Sequence, residues 1–191
     1  MKYKVNEIFE SWQGEGFHSG KRAIFIRLAG CNLKCSFCDT KHEKYIYLSE
    51  QGILKEITDK EYQADFIVIT GGEPLTQIIE PLVLLLKSEG FKIAIETNGT
   101  IIPTDIIKKN CWITMSPKKG WILKKCNELK LLNINNVSLN EYNDVIADHY
   151  YIMPMETNGT FNYMSTVSLL KYFGGNKWKM GIQMHKTYKV K

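Results

Sequence analysis

Between residues 23 and 116 short β-branched runs alternate with helical patterns, and that alternation restricts the fold more than any other feature. AIFIRL (23–28), FIVIT (66–70), KIAIET (92–97) and CWITMS (111–116) read as strands. FIVIT is close to continuously apolar, as in a strand covered on both faces. LSEQGILKEITDKE (48–61) reads as a helix with Ser49 as N-cap and Ile53, Leu54 and Ile57 on one face. IIEPLVLLLKSEG (78–90) has Pro81 in its first turn and Gly90 at its stop, and PTDIIKK (103–109) is a shorter helix. ELKLLN (128–133) and YYIMPM (150–155) follow as strands, STVSLLKYF (165–173) as a helix and KWKMGIQMH (177–185) as a last strand. Strand–helix alternation implies parallel pairing through crossovers, hence a mostly parallel α/β sheet. No linker interrupts the pattern, so residues 1–191 are expected to form a single domain. The pentapeptide ETNGT occurs twice, at 96–100 and 156–160, and each copy reads as a strand-to-loop exit using Asn-Gly turn chemistry.

The unusual residues fall where strands end. Cys31 follows 23–28, Gly71-Gly72-Glu73-Pro74 follows 66–70, Glu96-Thr97-Asn98-Gly99 closes 92–96, and Ser116-Pro117-Lys118 follows 111–115. The carboxyl edge of a parallel sheet is where ligands bind, so these motifs are expected to form one composite site.

Cys31, Cys35 and Cys38 lie within eight residues of a chain with five cysteines. MKYKVNEIFESW lacks the apolar core of a secretory leader, and the longest apolar stretch, Ile78–Leu86, is broken by Glu80 and Pro81. It is far short of the ~18 residues of a membrane span. A cytoplasmic protein is expected, and there an odd, clustered set of thiols argues for metal or redox chemistry over disulfides. Zinc, with a fourth ligand from His42, Cys111 or Cys126, is compatible. So is a [4Fe–4S] cluster that keeps one iron open. Net charge is +5, with Lys186, Lys189 and Lys191 near the end. No Lys/Arg stripe alternates with aromatics, so a solvated basic surface, with a few cations facing an anionic small molecule, is expected in place of a nucleic-acid face.

Cys31-Asn32-Leu33-Lys34-Cys35-Ser36-Phe37-Cys38, followed by Gly71-Gly72-Glu73-Pro74 and Ser116-Pro117-Lys118, resembles the signature of radical S-adenosylmethionine enzymes. The resemblance implies a pared-down partial (β/α) barrel in which Cys31, Cys35 and Cys38 hold a [4Fe–4S] cluster. S-adenosylmethionine would chelate the open iron and give a 5′-deoxyadenosyl radical on one-electron cleavage. Cofactor contacts are implied for Phe37, Cys38, Asp39, Gly72, Glu73, Glu96, Ser116, Pro117, Lys118 and Met153. Glu73 would accept from the cofactor ammonium.

A narrower resemblance spans nearly the whole chain. Asn6–Phe9, Gln13-Gly14-Glu15-Gly16, Arg27, Cys38–His42, Thr70–Pro74, Glu96–Thr100, Ser116–Lys118, Glu128-Leu129-Lys130 and Gln183-Met184-His185-Lys186 are similar to the 7-carboxy-7-deazaguanine synthases. The implied reaction contracts the ring of 6-carboxy-5,6,7,8-tetrahydropterin to 7-carboxy-7-deazaguanine, with loss of ammonia. Arg27 would clamp the substrate carboxylate. Glu15 would accept from the pterin N–H groups, beside backbone groups of Trp12, Gln13 and Gly14, with Thr70 and His185 as further contacts. Thr40 would bind Mg2+. A one-electron donor such as a flavodoxin or ferredoxin and a homodimer are also implied, with no membrane or nucleic-acid partner. Where the family often has Gln-Pro, this chain has Met153-Pro154, so only a backbone contact to the cofactor is expected there. Two other readings stay open: a glycyl-radical-enzyme activase and a non-catalytic metal-binding module.

Overall fold

The structure, a computed structural model, describes residues 1–38, 40–134 and 137–188. Alternation within the strands decides what each sheet face carries. Along β2 (Arg22–Leu28), β4 (Phe66–Gly71), β5 (Lys92–Thr97), β6 (Cys111–Met115) and β7 (Glu128–Asn133), one set of alternate residues is Ile24, Ile26, Leu28, Ile67, Ile69, Ile93, Ile95, Ile113, Met115, Leu129 and Leu131. These pack with Ile53 and Ile57 of α1 (Glu50–Asp59), Leu82 and Leu86 of α2 (Glu80–Ser88) and Ile107 of α3 (Asp105–Asn110), forming the main core. Each such side chain contributes roughly 1.5–3 kcal/mol by leaving water. The opposite set holds a small cluster, Ala23, Phe66, Val68 and Ala94 with Phe25 and Trp112, and then the polar residues Arg27, Thr70, Glu96, Thr114, Glu128 and Lys130.

Seven strands are parallel, ordered β11 (Trp178–Met180), β8 (His149–Pro154), β7, β6, β5, β4, β2. Two antiparallel strands extend that edge: β1 (Lys2–Trp12), then β3 (Ile46–Ser49). The mostly parallel sheet of the sequence reading is therefore present. Ser49 caps α1, accepting from Gly52 N at 3.1 Å. Strand β1, the longest, has no counterpart in the sequence reading. A register shift between Val5 and Glu7 breaks its alternation, so the period-2 signal is split.

The loop after β1 crosses the polar face of the sheet. Phe17 stacks on Trp112 of β6 (ring centroids 5.0 Å) and His149 of β8 (4.2 Å), and its N–H donates to Glu128 on β7. Gly16, at φ +69°, leaves no room for a side chain against the Glu128 carboxylate. The same loop meets the far end of the chain: Met184 N donates to Gly14 O at 2.9 Å. These contacts close the curved sheet into a partial barrel without a further strand pair.

Two expectations are corrected. The last strand is only Trp178–Met180, because the chain turns at Gly181 and then forms α5 (Met184–Tyr188). Gly181 N still donates to Ile152 O, and Met153 fills the space a side chain would need. The second ETNGT is not a loop exit but a hairpin, β9 (Glu156–Thr157) to β10 (Thr160–Phe161), turned by Asn158 at φ 51° and Gly159 at φ 80°. Preceding it, Pro154 ends β8.

Candidate active site

The cysteine loop hangs from the ends of β2 and β4. Gly72 N donates to Leu28 O (3.1 Å) and Glu73 N to Gly30 O (3.0 Å). A side chain on Gly72 would run into the Gly30 carbonyl and Cys31. Asn32 ties the loop to the first ETNGT turn: Asn98 Nδ2 donates to its Oδ1 (3.0 Å), and its own amide donates to Thr100 Oγ1 (2.7 Å). Cys31, Cys35 and Cys38 are free thiols at least partly open to solvent, and all three line a cavity of about 690 Å³. Cys111 and Cys126 are buried in the core, where burial pushes both thiols up to about 12. They supply no fourth ligand.

Among the described residues, no three His, Cys, Asp or Glu side chains converge so as to hold a single metal ion. His42, the remaining candidate for a fourth zinc ligand, lines the same cavity as the three thiols, and three thiols on one loop also suit a cluster with an open iron. In this respect the residues present fit an iron–sulfur cluster.

The walls of this cavity bring together Glu15, Phe37, Thr40, Thr70, Gly72, Glu96, Ser116, Lys118 and Met153 with the three cysteines. Glu15 stands at its centre of charge. Its Oε2 is 2.6 Å from Lys130 Nζ and its Oε1 accepts from Gln183 Nε2 at 2.7 Å. Burial alone would raise the Glu15 pKa, but Lys130 and Gln183 outweigh it and hold the carboxyl at about 2. Burial would likewise lower Lys130, yet Glu15, Glu96 and Glu128 raise it well above the ordinary lysine value. Glu96 accepts from Gln13 Nε2 (2.9 Å) and lies 3.4 Å from Lys130. Lys118 is pushed down by burial and donates to Ser116 O and Oγ.

Other expected site residues lie elsewhere. Glu73 is fully buried, and its carboxylate accepts from Leu75 N, Thr97 Oγ1 and Asn98 N. In this structure it braces two strand ends and does not line the cavity. Arg27 stands beside Thr70 in register, with its guanidinium 5.6 Å from the Phe9 ring centroid and Nε 3.1 Å from Glu7 Oε1. That approach is too poorly angled for a hydrogen bond, and Arg27 also lies outside the lining. His185, on α5, abuts Gly14. The side chain of Trp12 is half-exposed. Backbone groups of Gln13 are engaged with Gly20 and Lys21, and Gly14 O with Met184, so the Gln13 and Glu15 side chains carry this loop's chemistry. Pro117 borders a second cavity of about 600 Å³ behind Cys35 and Phe37. Asp39 lies outside the described residues, as do Lys189 and Lys191.

Lys130 and Gln183 are site residues to which sequence reasoning gave no role. The readable signal for Lys130 was a charge inside ELKLLN, two residues from Glu128 and so on the same face. Gln183 stood in the Gln183-Met184-His185-Lys186 stretch of the resemblance, but nothing local tied it to its partner Glu15, 168 positions away.

A thiol-bearing loop over the carboxyl edge of a partial parallel barrel defines a radical S-adenosylmethionine enzyme, and the profile of the Radical SAM superfamily matches residues 25–139. A 7-carboxy-7-deazaguanine synthase from Bacteroides thetaiotaomicron is 36% identical over 193 residues, covering 100% of both chains, and one from Haemophilus influenzae is 36% identical over 96% of this chain and 92% of its own. The crystal structure of QueE from Escherichia coli superposes with a TM-score of 0.79 at 30% identity, covering 97% of this chain and 95% of that one. The chain belongs to the 7-carboxy-7-deazaguanine synthase family of the radical SAM superfamily.

Proposed function

We propose that this chain contracts the ring of 6-carboxy-5,6,7,8-tetrahydropterin to 7-carboxy-7-deazaguanine with loss of ammonia. The observation that carries this reading is the single cavity in which three free thiols face Glu15, Thr70 and Glu96. Its volume lies within the roughly 300–1,000 Å³ of small-molecule sites. Cys31, Cys35 and Cys38 would hold the cluster, with Gly72, Glu96, Ser116 and Lys118 along the S-adenosylmethionine side. Together, when bound, cluster and cofactor supply hydrogen-atom abstraction by a carbon radical.

The chain's own residues orient the substrate. Glu15, held ionised by Lys130, accepts hydrogen bonds from a donor-rich heterocycle edge. Arg27 approaches Glu7 through Nε, which leaves its terminal nitrogens to grip a carboxylate next to Thr70. Thr40, on the cavity wall beside the cysteine loop, is the residue that would supply an oxygen to Mg2+. Glu73 acts one step back, by fixing the Asn98 turn on which the cysteine loop rests. A one-electron donor protein completes the system, and the chain works as a homodimer.

The test is one anaerobic incubation of reconstituted protein with S-adenosylmethionine, Mg2+, a one-electron reductant and the carboxytetrahydropterin, followed by mass spectrometry. The expected product is 7-carboxy-7-deazaguanine. Release of 5′-deoxyadenosine alone would retain the superfamily chemistry and overturn the substrate.

A further inference from the structure

Four residues of the site close a ring, one of its links running through the Glu15 backbone N–H. Glu15 N donates to Gln13 Oε1 (3.2 Å), Gln13 Nε2 donates to Glu96 Oε1 (2.9 Å), and Lys130 Nζ joins Glu96 Oε2 (3.4 Å) to Glu15 Oε2 (2.6 Å). Lys130 is the only cation in the ring, and its side chain is 5% exposed. Its two carboxylates come from distant parts of the chain. Glu15 rides on the loop after β1, while Glu96 projects from β5 at the edge where the first ETNGT turn begins. Glu96, Glu15 and Lys130 all line the cavity, so a ligand that engages either carboxylate meets the ring.

We propose that Lys130 is a positioning residue that makes the two halves of the cavity interdependent. The inference rests on the reading above, in which Glu15 faces the pterin and Glu96 the S-adenosylmethionine. One ammonium serves two carboxylates at unequal distances, tightly to Glu15 and loosely to Glu96. A donor or cation from a ligand that satisfies Glu96 releases Lys130 toward Glu15, and a ligand that satisfies Glu15 releases it toward Glu96. Gln13 braces the pair from the other side, its amide oxygen on the Glu15 backbone and its nitrogen on Glu96, so the two carboxylates keep their places while Lys130 shifts between them. Occupancy of one half thereby changes the charge and orientation offered by the other, which is a coupling between sites.

Binding measurements on cluster-reconstituted protein test this without turnover. The dissociation constant of S-adenosylmethionine is measured alone and with saturating 6-carboxypterin, the fully oxidised, unreactive analogue. For the wild type, a change of about 5-fold or more is expected. Lys130→Met reduces it to within about 2-fold, and Lys130→Arg, which keeps the charge, restores part of it. Should Lys130→Met not fold, Glu96→Gln reads the same link from its other end, leaving Lys130 to Glu15 alone, and is expected to abolish the coupling likewise. A coupling that survives in these variants overturns the inference, as does wild-type protein that binds the two ligands independently. Wild-type protein that binds S-adenosylmethionine but no carboxypterin at all overturns the substrate reading, and the inference falls with it. A purely structural Lys130 would lower the melting temperature and leave the coupling factor unchanged.

Discussion

Arg27 shows how much of a residue's role depends on its neighbours. From sequence it reads as a carboxylate clamp at a strand end. The structure finds it beside Glu7 and over Phe9, at the same register as Thr70. A guanidinium already near one carboxylate is partly neutralised, so it holds a second carboxylate only through nitrogens that Glu7 leaves unused. Arg27→Ala is expected to raise KM for the carboxytetrahydropterin by about 10–100-fold, the loss of one charge-assisted contact, while release of 5′-deoxyadenosine without substrate stays near wild type. Steady-state kinetics with both readouts checks this, and an unchanged KM removes Arg27 from the substrate site. Glu73 gives the complementary lesson. Its glycine-rich setting announces a ligand, and its carboxylate accepts from three internal donors that tie together two strand ends.

Elements were legible where period and punctuation agreed. The runs at 23–28, 66–70, 92–97 and 111–115 all became strands, and the helices between them formed with Ser49 as the cap expected. The misses have separate causes. In β1 a bulge interrupts the alternation of Tyr3 and Val5 before Ile8 resumes it. At 156–160 the Asn-Gly signal was read correctly as a turn, but its product was a hairpin, because the residues on either side found each other. At 177–185 tertiary packing overrode an apolar run: Gly181 sits against Met153, and the chain leaves the sheet there. Most of the candidate site was visible as motifs at strand ends, whereas the pairing of Glu15 with Lys130 and Gln183 was not, since no local pattern encodes contacts between such distant residues. The loop that carries the thiols also has an element-level test. Gly72→Ala pushes a methyl group into the Gly30 carbonyl and displaces the root of the cysteine loop. Iron and sulfide bound after reconstitution should fall below about half of wild type with the far-UV circular dichroism retained. Full cluster loading in that variant would show that the loop tolerates the displacement.

Across the whole molecule the charged ring also leaves a mark on stability. Because Glu15 is held at about 2, below its ordinary 4.5, it stabilises the folded state above pH 4.5, and that contribution is lost as pH falls toward 2. Burial raises Glu73 and Glu128 and works in the opposite direction, so the informative quantity is a difference between two proteins. Apo wild type should exceed Glu15→Gln by on the order of 3 kcal/mol at pH 7, with the gap closing between pH 4.5 and 2. Urea unfolding over that range measures it, and a gap independent of pH would mean that Glu15 contributes through shape alone. Among the described residues no helix is long and apolar enough to cross a membrane.

The partial barrel is closed by a handshake between Gly14 and Met184 and between Glu15 and Gln183. During synthesis the cysteine loop emerges early, and its support on β4 and β5 soon after. Gln183 follows its partner Glu15 by 168 positions. The latch therefore forms after the cysteine loop and its support, and because the thiols stay at least partly open to solvent in the closed barrel, iron–sulfur delivery can precede or follow it.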